Sequence, residues 1–372
     1  MSRKTKVVVF EGKQSQSPPF TYAGAEIEQV EEFKYLGICF HATRGLSCAI
    51  EYLCNSARKA MFAVLGRCHE LHIQQPLLKL KLFDALVRPI MTYACEAWAI
   101  MGAKGLLYDM EKIELRFLKM LLGVPQNTSR KLVYAEFGRL PLPHFWLQQS
   151  LKYLGRMLSL DDDRLCKVAF LADSQAQPGW YHGLKDQLRY FGIRLPRTLQ
   201  DVNCKELVSA LKDQAIVANM TATEGNHLEL AYFSHKVHFR CEPYIAQSKN
   251  KHLRKAVAMF RTGTHWLSVR SGRLQGLEYS HRMCPCCNLL DDEMHAIFHC
   301  RIYDQQRSKF LDLFSQAPDL IAFLAHNPAH RLALFLTACR EARLGFRPVR
   351  YLAGYPNVDL GYDFQLDSYD SD

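Results

Sequence analysis

The spacing of apolar residues along the chain changes character near residue 46. Before that point apolar positions alternate with polar ones or run in short β-branched groups, the pattern of pleated strands. Lys6-Val-Val-Val-Phe10 is such a run, and Glu26-Ile-Glu-Gln-Val30 alternates. Phe33-Lys-Tyr-Leu-Gly-Ile-Cys-Phe40 reads as a further strand interrupted by Gly37, and residues 12–19 form a polar loop with a Pro-Pro break. After Leu46 the period becomes helical. One helix is predicted over about Ser47 to Cys68. A second starts after Pro76 and stays apolar on most faces through Trp98, which predicts burial, with a break at Pro89. A third runs from about Leu107 to Leu122 and stops at Gly123-Val-Pro125. Leu142 to Leu160 is a fourth, ending at the polar junction Asp161-Asp-Asp163. From there to about His227 the pattern is one of mixed helices with Pro and Gly breaks. Two amphipathic helices close the pattern, about Gln306 to Leu324 and Ala329 to Ala342. The expected fold class is mainly α with a short N-terminal β-hairpin or strand region.

Composition narrows the setting. The 372 residues are 48% hydrophobic, which suffices for an ordinary core and for two or three compact units. No apolar run reaches the roughly eighteen residues of a membrane helix, and Met1-Ser-Arg-Lys-Thr-Lys6 lacks an apolar signal core. The expectation is an intracellular protein, nuclear or cytoplasmic, with no membrane partner. The 13 cysteines sit mostly singly in apolar segments, as with Cys39, Cys54, Cys95 and Cys339. Reduced thiols and a metal site are expected rather than a disulfide framework. Net charge is +10, and its placement matters more than its size. Between Lys236 and Arg282 ten cations face only Glu242 and Glu278, a net +8 that suits a phosphate backbone. The last fourteen residues hold five aspartates and no cation, and residues 351–372 are expected to be a disordered acidic tail.

Two patterns carry candidate chemistry. Cys284, Cys287, His295 and Cys300 follow the spacing C-x2-C-x7-H-x4-C, three thiolates and an imidazole. That set closes a tetrahedral Zn²⁺ site and leaves no open position for catalysis, so a structural zinc is expected. Cys286 in place of Cys287, and His299 in place of His295, remain alternatives at this point. On the third predicted helix Met110, Ile113, Phe117 and Leu121 form an apolar stripe, and Lys112, Arg116 and Lys119 line the opposite flank. These three cations are candidate nucleic-acid contacts.

Several segments, taken in order, resemble the C-terminal part of the reverse transcriptases of non-LTR (LINE-type) retrotransposons. Lys4-Thr-Lys-Val-Val-Val-Phe10 and Phe33-Lys-Tyr-Leu-Gly-Ile38 are similar to the end of their palm, whose Tyr-Leu-Gly turn is the primer grip. Leu82-Phe-Asp-Ala-Leu-Val-Arg-Pro89, Tyr93-Ala-Cys-Glu-Ala-Trp98, Phe117-Leu-Lys-Met-Leu-Leu-Gly-Val-Pro125 and Glu136-Phe-Gly-Arg-Leu-Pro141 resemble their helical thumb. Phe260-Arg-Thr-Gly-Thr-His265, Gly272-Arg273, Arg282-Met-Cys284, Asp292-Glu-Met-His295, Cys300 and Tyr303 to Arg307 are similar to their zinc-binding region. Residues 161 to 227 are poorly covered.

The resemblance implies a division of the chain. Residues 1–45 would be the end of the palm, 46–160 the thumb and 161–248 a helical connector. A zinc-binding module would follow at 249–305, then C-terminal helices at 306–350. Tyr35, Leu36 and Gly37 would approach a primer, and Lys4 an incoming nucleotide. In the zinc region Arg261, Arg270, Arg273 and Arg282, with His265 and Trp266, would meet phosphates and splayed bases. The implied partners are RNA, single-stranded DNA or a primer-template. The family's metal-binding aspartates lie upstream of the lysine-threonine strand, so Mg²⁺ would enter only with that palm supplied, and polymerisation by this sequence alone is not expected. Asp161-Asp162 and Asp291-Asp292 are expected to be solvated junction and loop residues. The competing reading is a zinc-stabilised adaptor that docks proteins through its terminal helices and acidic tail.

Overall fold

The computed structural model describes residues 5–10, 19–247, 250–314 and 318–346. Lys4 and the acidic tail lie outside the described residues, as does all of the polar loop 12–19 but its last residue. The chain is mainly helical behind a small β region. Strands β1 (Thr21–Tyr22) and β2 (Ala25–Glu26) form one antiparallel hairpin, β3 (Glu32–Tyr35) and β4 (Ile38–His41) another. The run Lys6–Phe10 contributes only a single parallel bridge, Val7 to Gln29.

Phe33–Phe40 is therefore not one interrupted strand but both arms of a hairpin. Leu36 and Gly37 are its two central residues, with φ of 47° and 85°. Positive φ at both positions is the geometry whose twist matches paired strands, and glycine supplies the second without strain. Tyr93 fixes the turn, its hydroxyl donating to the Leu36 carbonyl at 2.7 Å. A Cβ on Gly37 would come within 3.2 Å of the same ring.

The helices follow as α1 (Ser47–Glu70), α2 (Pro76–Leu86), α3 (Arg88–Met91), α4 (Cys95–Trp98), α5 (Lys104–Leu122), α6 (Arg130–Glu136) and α7 (Leu142–Leu158). The predicted buried helix 76–98 is split into three, the first break falling just before Pro89 and the second at Ala94, with φ 51°. Two indoles take up carbonyls near the breaks: Trp98 Nε1 donates to Tyr93 O at 2.8 Å and Trp146 Nε1 to Met91 O at 3.2 Å. Helix α5 ends where Gly123 adopts φ 75° and returns its N–H to Lys119 O at 2.9 Å.

Beyond α7 come α8 (Leu165–Gln175), α9 (Trp180–Tyr190), α10 (Cys204–Met220), α11 (His227–His235), α12 (Pro243–Gln247), α13 (Lys251–Arg261) and α14 (Ser268–Leu274). The chain closes with α15 (Asp304–Lys309), α16 (Leu320–His326) and α17 (Ala329–Gly345). The single helix expected over 306–324 is broken. Pro318 disfavours a helical residue before it, and Asp319 starts α16 afresh by accepting the N–H of Ile321 at 2.9 Å. The break lets Phe314 and Phe323 reach Phe335 on α17, with ring centroids 5.4 and 5.9 Å apart.

One apolar core runs from Ile38 in β4 through α1, α5 and α13 to Cys339 in α17. A smaller one joins the second half of α7 to α8, α9 and α10. Buried ions tie distant segments together. Arg139 reaches Asp84 of α2 at 2.9 Å and Glu114 of α5 at 2.7 Å. Cys39 and Cys48, expected as reduced thiols, are disulfide-bonded with Cα atoms 5.8 Å apart. Cys54, Cys95 and Cys339 are free and buried.

Candidate metal centre and the cleft beside it

The turn after Met283 brings the four expected ligands together. Cys284 N donates to Leu289 O at 2.7 Å and Asn288 N to Cys284 O at 3.0 Å. Asn288 takes φ 51°, a conformation asparagine tolerates better than most residues. This tight loop points Cys284 and Cys287 the same way. His295 opens a single wide turn, His295–His299, whose last N–H bond (Cys300 N to His295 O, 2.7 Å) returns Cys300 to the cluster.

The ligand atoms of Cys284, Cys287, His295 and Cys300 all lie within 4.8 Å of one another. Cys300 Sγ stands 3.7 Å from Cys284 Sγ and 3.8 Å from Cys287 Sγ. Sulfurs placed tetrahedrally about 2.3 Å from a zinc ion stand about 3.8 Å apart, so the spacing is compatible with a structural zinc. His295 Nε2 is buried with no hydrogen-bond partner, as a nitrogen reserved for a metal would be. Cys286 and His299 are exposed and outside the cluster, which decides between the alternatives left by spacing. The Cys284 thiol is pushed down to about 3, chiefly by a hydrogen bond from Cys300, helped by the backbone N–H groups of Cys287 and Cys286. A thiolate is the form that binds metal.

Side chains from within and outside the loop hold it. Asp292 Oδ1 accepts the N–H of His295 at 2.8 Å. Arg307 donates to Ile297 O at 3.2 Å and Cys300 O at 2.5 Å. Arg343 of α17 places one nitrogen 3.6 Å from Cys284 Sγ and another 2.6 Å from Asp291 Oδ2. Asp291 is thus fully buried and ion-paired rather than a solvated loop residue.

The expected nucleic-acid residues divide into three groups. Tyr35 and Leu36 are 60% and 72% exposed at the hairpin tip, with Gly37 between Leu36 and β4. Lys112 and Arg116 are exposed on α5, beside Tyr108 and Phe62 at 4.4 and 5.3 Å from the ring centroids. Lys119 instead is buried and donates to the Gln126 carbonyl, because α5 turns that position toward the Gly123–Thr128 loop. Arg261 is also turned inward. Its side chain is 4% exposed, with Nε 2.9 Å from Glu136 Oε1 and Nη2 3.1 Å from Glu242 Oε2. His265 is buried between Glu293 (2.7 Å) and the N–H of Leu267 (3.3 Å), which occupies both ring nitrogens. Trp266, half-buried, donates to the Tyr303 hydroxyl at 3.1 Å.

Arg270, Arg273 and Arg282 behave differently. All three line one cleft of about 700 Å³, bounded by α14, the start of α11 and the loop 127–129. Their hydrogen bonds among the described residues go to backbone carbonyls: Arg270 to His265 O, Arg273 to Gly263 O, Arg282 to Val269 O and Leu277 O. Two carboxylates line the cleft: Glu293 is bonded to His265, and Glu224 makes no ion pair with the three arginines among the described residues. Burial lowers the Arg270 and Arg273 pKa values, and their neighbouring cations lower them further. Sequence reasoning missed His227 and Tyr279, which form the remaining aromatic wall. Neither lies in a periodic pattern, and a sequence separation of 52 hides their proximity.

The chain matches no known protein-family model, no curated protein and no solved structure.

Proposed function

We propose that this chain is the end-of-palm, thumb and zinc-binding part of a non-LTR retrotransposon reverse transcriptase, and that it holds RNA or single-stranded DNA. The observation that carries the reading is the convergence of Arg270, Arg273 and Arg282 on one cleft where, among the described residues, none of them forms an ion pair with a carboxylate. Cations crowded together and partly desolvated are costly unless an anion joins them, and a phosphate accepts the donors a guanidinium offers. The centre made by Cys284, Cys287, His295 and Cys300 would bind zinc as a structural ion. Its task is to fix the loop that ends in Arg282, two residues before the first ligand. Lys112 and Arg116, with Tyr108 and Phe62, give a second strip of cations and rings along α5.

The segments that carry the family resemblance also touch one another, which supports the reading. Tyr93 holds the Leu36 turn, Asp84 pairs with Arg139, and Glu136 pairs with Arg261.

Fluorescence anisotropy of a labelled single-stranded RNA with the zinc-loaded chain tests the proposal. Affinity is expected to fall as salt rises, in proportion to the phosphates contacted. Reversing Arg270 and Arg273 to Glu should abolish binding with zinc content unchanged. No affinity at low salt with zinc present defeats it.

A further inference from the structure

Two aromatic side chains also line the cleft. His227, at the start of α11, and Tyr279, in the short turn Tyr279–His281, lie with ring centroids 6.2 Å apart and planes 20° from parallel. Both are exposed at the cleft mouth. A base held between two parallel rings sets them about 6.8 Å apart, twice the 3.4 Å stacking rise of a nucleic-acid strand. The centroid separation is about 0.6 Å short of that spacing, so the rings must part slightly to admit a base.

Arg282 joins this slot to the cationic wall. Its guanidinium carbon is 5.7 Å from the Tyr279 ring centroid, while Nη1 is bonded to Val269 O at 3.0 Å and Nη2 to Leu277 O at 2.7 Å. The group is thus held in place before any ligand arrives. Two glycines permit the approach. A Cβ on Gly272 would lie 2.5 Å from Arg282 Cγ, and one on Gly263 would lie 2.2 Å from Leu228 Cδ1, the neighbour of His227. The volume of about 700 Å³ suits a unit the size of a small ligand. A double helix does not enter it.

We infer that this cleft holds one unpaired nucleotide of a single strand, its base between His227 and Tyr279 and its phosphate on Arg270, Arg273 and Arg282. The inference rests on the proposed nucleic-acid reading and deepens it. It assigns stacking to Tyr279 and His227, leaving His265 as an interior residue and Trp266 as a half-buried one packed against the core. It also gives the zinc-side surface a preference for unpaired strands, which phosphate contacts alone do not supply.

The test uses the zinc-loaded full chain, a labelled single-stranded oligoadenylate, a duplex of equal length and adenosine monophosphate. Stacking contributes about 1–3 kcal/mol per base, so His227→Ala with Tyr279→Ala should weaken single-strand binding roughly 5- to 100-fold. Duplex binding should stay unchanged, and Tyr279→Phe, which keeps the ring, should retain affinity. Equal single-strand affinity in the double Ala variant overturns the base slot while leaving the arginine contacts standing. Adenosine monophosphate binding as tightly as the oligomer also overturns it, assigning the cleft to a small ligand. If the unaltered chain binds no oligonucleotide, the proposed function fails and this inference with it.

Discussion

Replacing Arg261 with Ala should cost folding stability, because its side chain is an interior ion-pair partner and not itself a nucleic-acid contact. The residue lies in the basic stretch between Lys236 and Arg282, yet its guanidinium meets Glu136, whose side chain is fully buried, and Glu242. Removing one partner of a buried pair leaves the other charge without compensation, typically at about 3–5 kcal/mol. Against a usual total of about 5–15 kcal/mol that is a large fraction. At about 2–4 °C per kcal/mol it lowers the melting temperature by roughly 10 °C. Thermal unfolding of the zinc-loaded chain measures it, with Glu136→Gln as the companion variant. The double variant Arg261→Met with Glu136→Leu should lose less than the two single losses combined, since neither then strands a charge. Arg261→Ala melting at the unaltered temperature while losing RNA affinity would refute the reasoning, because only an exposed contact behaves that way.

Three further outcomes follow from the same geometry. Removing zinc with a chelator should increase amide hydrogen exchange between Arg282 and Tyr303 while α1 and α5 stay protected, and Cys300→Ser should reproduce this by abolishing stoichiometric zinc in a colorimetric assay. Burial pushes His144 and His235 down to about 4; the unfolded chain therefore binds more protons between about pH 6.5 and 4, and stability should fall through that window by up to about 1.4 kcal/mol per pH unit for each. Urea midpoints follow this, and His144→Gln should flatten the decline. Lys112→Glu with Arg116→Glu should reduce the slope of log affinity against log salt by about 2 at unchanged melting temperature, whereas Lys119→Met should shift the melting temperature and leave the slope intact.

The parts legible in the sequence were those whose partners are close in sequence. The candidate metal cluster draws its four residues from 17 consecutive positions, and a two-residue gap fixes the geometry of the first pair. Helix α5 stops at Gly123 as its Gly-Val-Pro signal requires. Charge could be counted, but its direction could not be read. Arg261 and Arg270 look alike in a list of cations, and only the position of Glu136, 125 residues upstream, distinguishes them. Lys119 fell on the wrong side for a related reason, because its acceptor, the Gln126 carbonyl, lies in a loop whose path periodicity does not give. Two signals were present and underused. Pro318 announced the break between α15 and α16, and a Leu-Gly pair between apolar runs announced the β3–β4 hairpin, hidden because leucine seldom adopts the first turn position.

The same long-range contacts couple the stability of the fold to the geometry of the cleft. Arg261 is the last residue of α13, and the chain after it runs directly into the cleft: Gly263 O receives Arg273, and His265 O receives Arg270. Glu136, at the end of α6, is two residues before Gly138, where a Cβ would fall 2.3 Å from the Arg240 carbonyl carbon. One buried ion pair therefore clamps the loop that aims two of the three cleft arginines against the segment that closes α6. The smaller core of α8, α9 and α10 reaches this framework chiefly through α7, with a lesser contact of α10 on α6, and contributes none of the cleft's lining residues. Substitutions in α8 and α9 should then change stability without changing strand preference. Glu136→Gln, in a chain that still folds, should lower both stability and strand affinity, because the guanidiniums that Glu136 indirectly positions would lose their shared aim.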